Sequence, residues 1–220
     1  NSKRAFNFQT IIGGVYNFPC KHVFFKQFCA AYPKFNENYA TSIVFKPRKD
    51  IKMPLYFDFD FKMQNSTSIP TEAMVELSKK IFTILGEDPP KWLITRRVSC
   101  YHKVTKSEAY WQSGFHLWIF GKYSTQTATE LRLKCLKAGV LDDFLKDWNI
   151  YNSASDAYDE SPAIRSNGLL LVGDRKLKVR CSPHYIAYYS QVGKLVYGWQ
   201  AHPGKRPLFL KLLAKMYSFI

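Results

Sequence analysis

Two carboxylates, two residues apart on an apolar stretch, are the first feature with chemical consequences. In Pro54-Leu55-Tyr56-Phe57-Asp58-Phe59-Asp60-Phe61-Lys62 the residue types alternate. On a strand, Leu55, Phe57, Phe59 and Phe61 fall on one face, and Tyr56, Asp58, Asp60 and Lys62 on the other. At roughly 3.3 Å per residue the two acids stand about 7 Å apart at Cα. Asp is depleted in strands, and like charges on one face repel. A divalent cation between them turns that repulsion into binding, because Mg²⁺ and Mn²⁺ prefer carboxylate oxygens. The same pattern also describes a solvated face carrying two incidental acids.

Further polar groups sit on or beside apolar runs. Ser113-Gly114-Phe115-His116-Leu117-Trp118-Ile119-Phe120 reads as a strand, with His116 and Trp118 on the face opposite Phe115, Leu117 and Ile119. Arg96 and Arg97 lie in the alternating run Trp92 to Tyr101, where cationic groups suit phosphate or template contacts. A loop rich in Ser, Asn and Asp at 152–162 carries Asp156 and Asp159, both of which also fit the role of cap or turn former. After it come Arg165 and the basic run Arg175-Lys176-Leu177-Lys178, of a kind that ordinarily forms solvated surface.

These groups must be positioned by an alternation of strands and helices. Gly13-Gly14 marks a turn within residues 1–19, and Lys21 to Tyr32 has helical spacing stopped by Pro33. Ala40 to Phe45 reads as a strand preceding the acidic one. Thr71 to Leu85 is amphipathic, with Pro70 at its start and Gly86 closing it. Thr125 to Lys137 and Leu141 to Trp148 read as helices. Leu169 to Val172 reads as a buried strand after a Ser166-Asn167-Gly168 turn. His184 to Gln191 and Lys194 to Trp199 read as a hairpin, and Arg206 to Ser218 as a final helix. No Pro-, Gly- or Ser-rich linker divides the chain. One α+β body over residues 1–220 is expected, with a subregion of about 1–50 packed on the core.

The 220 residues carry 32 Lys and Arg against 17 Asp and Glu, a formal charge of +15, and 16% aromatics. Such a chain neutralises phosphates and stacks on bases, so nucleic acid is the first partner to consider. Five scattered cysteines do not make a disulfide framework and suit an intracellular, reducing compartment. Cys20-x-His22 and Cys181-x-x-His184 do not have a known zinc-finger spacing. No signal peptide, bilayer-spanning run or repeat is visible, and no membrane partner is expected. The chain begins without Met and stops abruptly at Phe219-Ile220, which reads as a piece of a longer polypeptide.

Taken together and in order, the Asp58-x-Asp60 pair, Ser113-Gly114-Phe115-His116 and the acidic loop with its Gly, Arg and Lys cluster resemble the archaeo-eukaryotic primase superfamily. The likeness is to its PrimPol branch and to the primase domains of primase–helicases from large DNA viruses, and it covers roughly residues 40 to 200. The resemblance implies an RRM-like mixed or antiparallel sheet flanked by helices, with an N-terminal α/β segment alongside. It implies that Asp58, Asp60 and Asp159 are catalytic and hold two Mg²⁺ or Mn²⁺ ions, with Asp156 as the rival third carboxylate. It also implies that Ser113, the Gly114 backbone, His116, Arg165 and Lys176 bind the incoming nucleoside triphosphate. The second motif has one residue more than the family's Ser-x-His. Leu170 stands where relatives usually carry Arg, a place that Arg165 or Arg175 could take over.

The activity so implied is primer synthesis on single-stranded DNA from ribo- or deoxyribonucleoside triphosphates, by two-metal nucleotidyl transfer in DNA replication. A helicase in the same chain or a replisome partner would accompany it, in host cytoplasm or nucleus if the source is a virus. Two rivals share the same residues: a two-metal nuclease, and an inactive module that stacks single strands on its aromatics.

Overall fold

The computed structural model describes residues 52–164, apart from 90 and 98, with their side chains. Beyond them it describes Gln27, Ala31, the Tyr188 side chain and the backbone of strands at 5–10, 15–19, 43–46, 169–170, 184–191 and 194–198. The expected C-terminal helix and most of the expected Lys21–Tyr32 helix lie outside these residues.

The acidic stretch is the strand β4 (Met53–Met63). Its alternation is realised as anticipated. Phe57, Phe59 and Phe61 are at most 2% exposed, whereas Asp58, Asp60 and Lys62 are only partly covered. β4 lies at one end of a six-stranded sheet in the order β10-β9-β5-β7-β4, with β6 also paired to β7. The members are β5 (Lys91–Arg97), β6 (Tyr101–Val104), β7 (Ala109–Tyr123), β9 (His184–Gln191) and β10 (Lys194–Gly198). All the pairings are antiparallel.

The N-terminal strands β1 (Ala5–Thr10), β2 (Val15–Pro19) and β3 (Ile43–Lys46) form a second, four-stranded sheet with β8 (Leu169–Leu170), in the order β2-β1-β3-β8. The chain is thus α+β with antiparallel sheets and flanking helices, as expected.

The core forms where helices cover the Phe face of β4 and β7. In α1 (Thr71–Leu85) the apolar stripe Met74, Leu77, Ile81 and Phe82 is buried in the same cluster as Phe57, Phe59, Phe115 and Leu117. Gly86 ends the helix at φ 80°, and its N–H caps the Phe82 carbonyl at 3.0 Å. In α2 (Thr125–Lys137) the Ser124 hydroxyl accepts the Thr127 N–H at 3.0 Å, and Ala128, Leu131 and Cys135 face the core. The Leu141–Trp148 pattern appears as the shorter α3 (Asp142–Asp147), which contributes Phe144.

Three expectations change on the structure. The run from Trp92 to Tyr101 is two strands, because β5 ends at Arg97 and β6 begins at Tyr101. The strand around His116 is fifteen residues long, far beyond its apolar centre. Loop 152–162 contains two short helical turns, α4 (Ala154–Ala157) and α5 (Ser161–Ile164).

The segment from Ile150 to Asp159 occupies the outer edge of β4. Ile150 bridges to Met63, and Tyr158 bridges to Phe59. Between them Asn152 uses its side chain as a strand uses its backbone. Its Oδ1 accepts the Lys62 N–H at 2.9 Å, and its Nδ2 donates to the Asp60 carbonyl at 3.0 Å. Asn152→Ala strips both partners from the edge next to Asp60. The expected cost is about 1–2 kcal/mol, or about 2–8 °C in Tm, read by thermal unfolding. An unchanged Tm would show that solvent serves those groups equally well.

Candidate active site

Strand register builds the site row by row. Asp58 pairs with His116 of β7, which pairs in turn with Thr95 of β5, so the three share one face of the sheet. His116 Nε2 lies 3.3 Å from Asp58 Oδ1, with the side chains 11% and 25% exposed. The Tyr56 ring meets His116 edge-on at 5.1 Å and Trp118 at 4.3 Å between centroids. These packed rings restrict the imidazole to the row it shares with Asp58.

In the next row Asp60 pairs with Gly114. Here the strands approach so closely that a Cβ on Gly114 would stand 2.0 Å from the Phe59 carbonyl oxygen, and its φ of +156° is one that L-residues rarely adopt. One step further along, Gln112 donates from Nε2 to Asp60 Oδ1 at 2.8 Å, while its Oε1 accepts the Tyr101 hydroxyl at 2.7 Å. Gln112 is 5% exposed, so a buried amide fixes the orientation of the Asp60 carboxylate. Lys62 belongs to the same face and forms an ion pair with Glu108, which raises the lysine pKa.

Asp159 reaches the site through its backbone. Its N–H donates to the Asp58 carbonyl at 3.0 Å, directly after the Tyr158–Phe59 bridge. Tyr158 anchors that bridge. Its ring lies 4.9 Å from Phe59 and 5.6 Å from Phe57, and burial pushes its phenol well above the usual range. The buried Arg132 on α2 secures the loop by donating to the Tyr158 and Ser155 carbonyls, each at 3.0 Å. The Asp159 carboxylate itself accepts the N–H and the hydroxyl of Ser161, both at 2.9 Å, and so caps α5. Asp156 is exposed, and its carboxylate accepts the Ser153 hydroxyl at 2.8 Å.

The donor chemistry fits a hard divalent cation, being carboxylate oxygens that remain partly accessible on one face. Among the described residues, however, no three His, Cys, Asp or Glu side chains gather around one point. Asp58 and Asp60 are in place on the strand, and Asp159 is adjacent through its backbone but turned onto Ser161.

The other sequence-derived candidates separate clearly. Ser113 pairs with Phe61 and therefore lies on the apolar face, away from the carboxylates. It stands three positions before His116, and an odd offset on a strand reverses the face. That corrects the expectation of Ser113 beside the nucleotide. Arg96 also points away from Asp58 and Asp60. Its guanidinium donates to the Ile69 carbonyl at 2.5 Å, and to the Thr71 and Ser68 hydroxyls, tying β5 to the start of α1. Arg97 lies on the carboxylate face, 7% exposed, with its guanidinium 5.1 Å from the Tyr101 ring centroid.

Arg165 and Lys176, with the side chains of Cys20, His22, Cys181 and His184, lie outside the described residues. Among the described cysteines, burial pushes the Cys135 thiol up to about 12, which removes it as a nucleophile.

Gln112, Tyr101 and Arg132 were not among the sequence candidates. Gln112 had a usable signal, since it continues the every-second-residue series from His116 through Gly114.

Residues 8–190 match the family described as the C962R protein N-terminal AEP domain. No curated protein sequence matches the chain. No helix among the described residues is long and apolar enough to cross a membrane.

Proposed function

The chain belongs to the archaeo-eukaryotic primase superfamily, whose domains are in general primase- and polymerase-like nucleotidyltransferases, and from that premise we propose that it synthesises primers on single-stranded DNA from nucleoside triphosphates. The observation that carries this reading is the row of Asp58 and His116, 3.3 Å apart, beside Asp60 held by Gln112. Nucleotidyl transfer asks little covalent chemistry of the protein and depends on alignment and charge neutralisation.

In this reading Asp58 and Asp60 would hold Mg²⁺ or Mn²⁺, and Asp159 would join them on releasing its bonds to Ser161. The bound cations would supply charge stabilisation at the attacking and leaving oxygens. His116 donates a hydrogen bond to a phosphate oxygen, which it can do in its neutral or protonated form. Gln112 and Tyr101 keep the Asp60 carboxylate in one orientation. The excess of 32 basic over 17 acidic residues favours a polyanionic template. Arg165, Lys176 and a companion helicase or replisome partner belong to this proposal on the strength of the family resemblance.

The test incubates the chain with a labelled single-stranded template and Mg²⁺ or Mn²⁺, with and without ribo- or deoxyribonucleoside triphosphates. New product that appears only with nucleotides is the expected result. Shortening of the template without nucleotides would assign a nuclease instead. Template binding that is indifferent to cations and nucleotides, with no product, would leave only a single-strand-binding module.

A further inference from the structure

Two residues on the carboxylate face carry buried donor atoms with no hydrogen-bond partner among the described residues. Arg97 is 7% exposed, and its Nε and Nη1 are both buried without an acceptor. Thr95 is 0% exposed, and its Oγ1 is in the same condition. The two residues are one alternation apart on β5. Thr95 stands in the row of His116 and Asp58, and Arg97 follows Arg96, the partner of Phe115, which puts it beside Gly114 in the row of Asp60.

A buried hydroxyl without a partner is costly, and a buried guanidinium more so, since arginine cannot escape by losing its proton. The sheet tolerates both where a strong acceptor completes them. A neutral acceptor would leave the charge uncompensated, whereas a tetrahedral oxyanion offers several oxygens to a guanidinium and a neighbouring hydroxyl together. Gly114 adds to this argument, because the row joining Arg97 to Asp60 carries no side chain at its centre.

We propose that Arg97 and Thr95 form a phosphate-binding subsite, flanked by His116 and adjoining Gly114 and the row of Asp60. Its ligand is a phosphate group, carried either by the nucleoside triphosphate or by the nucleic-acid strand. The site rests on the nucleotidyl-transfer reading for the identity of that carrier, but phosphate binding itself needs no turnover.

Isothermal titration of the whole chain in the presence of EDTA, with inorganic tripolyphosphate and separately with a single-stranded oligonucleotide, tests it. Arg97→Gln is expected to weaken one of the two about tenfold or more, and Thr95→Val the same one about two- to tenfold. Weakened tripolyphosphate binding assigns the subsite to the triphosphate, and weakened oligonucleotide binding assigns it to the strand. Tripolyphosphate or oligonucleotide should also raise the Tm of the unsubstituted chain more than that of Arg97→Gln.

Unchanged affinity for both probes in folded Arg97→Gln overturns the proposal. If Arg97→Gln does not fold, unchanged affinities in the near-isosteric Thr95→Val overturn it equally. Either result leaves the polymerising activity standing. Conversely, a chain that makes no primers but loses tripolyphosphate binding on substitution keeps the subsite and loses the activity.

Discussion

Replacing Asp58 and Asp60 together with Asn is expected to lower primer synthesis by at least about 10³-fold while leaving the chain folded. The loss follows from removing two anionic ligands from a step that relies on cation-borne charge stabilisation worth several kcal/mol, at about tenfold in rate per 1.4 kcal/mol. The folded state should be spared because both side chains are partly accessible and off the Phe face. Asn keeps an oxygen for the Gln112 amide, which donates to Asp60 Oδ1 at 2.8 Å. It also relieves the repulsion between neighbouring acids, so Tm should hold or rise. Primer extension and thermal unfolding on the same preparation check both halves. Full synthesis by the double variant would remove the basis for nucleotidyl transfer at this face.

The largest structural effect is expected from a single methyl group. In Gly114→Ala the new Cβ would lie 2.0 Å from a backbone oxygen, Phe59 O, and 3.3 Å from the Asp60 Cα. Neither atom belongs to a flexible side-chain end, so relief requires β4 and β7 to separate in the row of Asp60. Left-region strain costs about 1–3 kcal/mol and overpacking another 1–3 kcal/mol. A Tm drop of about 5–20 °C follows for a chain of this size. Whatever fraction folds should bind divalent cations poorly, since the strand that presents Asp60 has been displaced. A variant with unaltered Tm would show that the strands yield locally.

The legible parts of this fold are those where one local signal suffices. Asp58 and Asp60 could be placed on an outward face because four large apolar residues alternate with them. The ends of α1 were marked by Pro70 and Gly86, and α2 was legible as the helical pattern from Thr125 to Lys137. The rest depends on which strands lie side by side. No local pattern says that β7 lies between β4 and β5, so neither Thr95 beside His116 nor which of Arg96 and Arg97 shares the face of Asp58 could be read directly. The length of β7 was hidden at its start, because residues 109–113 lack the apolar run of its centre and are recognised as strand only where β6 pairs with Ala109 to Gln112.

The stretch around Asp159 looked like a polar loop because its contacts come from distant elements, Arg132 on α2 and the carbonyl of Asp58. The face of Ser113 had a local signal. Counting its odd distance from His116 would have put it among the phenylalanines.

The way Asn152 and its neighbours lie along β4 limits how anything can approach the acids. A sheet margin with unspent donors and acceptors invites another polypeptide to zip onto it, but here Lys62 N, Asp60 O and Asp58 O are already taken. The margin beside the acids is therefore closed to an added strand. Trimming one residue between Asn152 and Tyr158 would slide Asp159 out of step with Asp58, so this short stretch should tolerate exchange of side chains far better than a change in length.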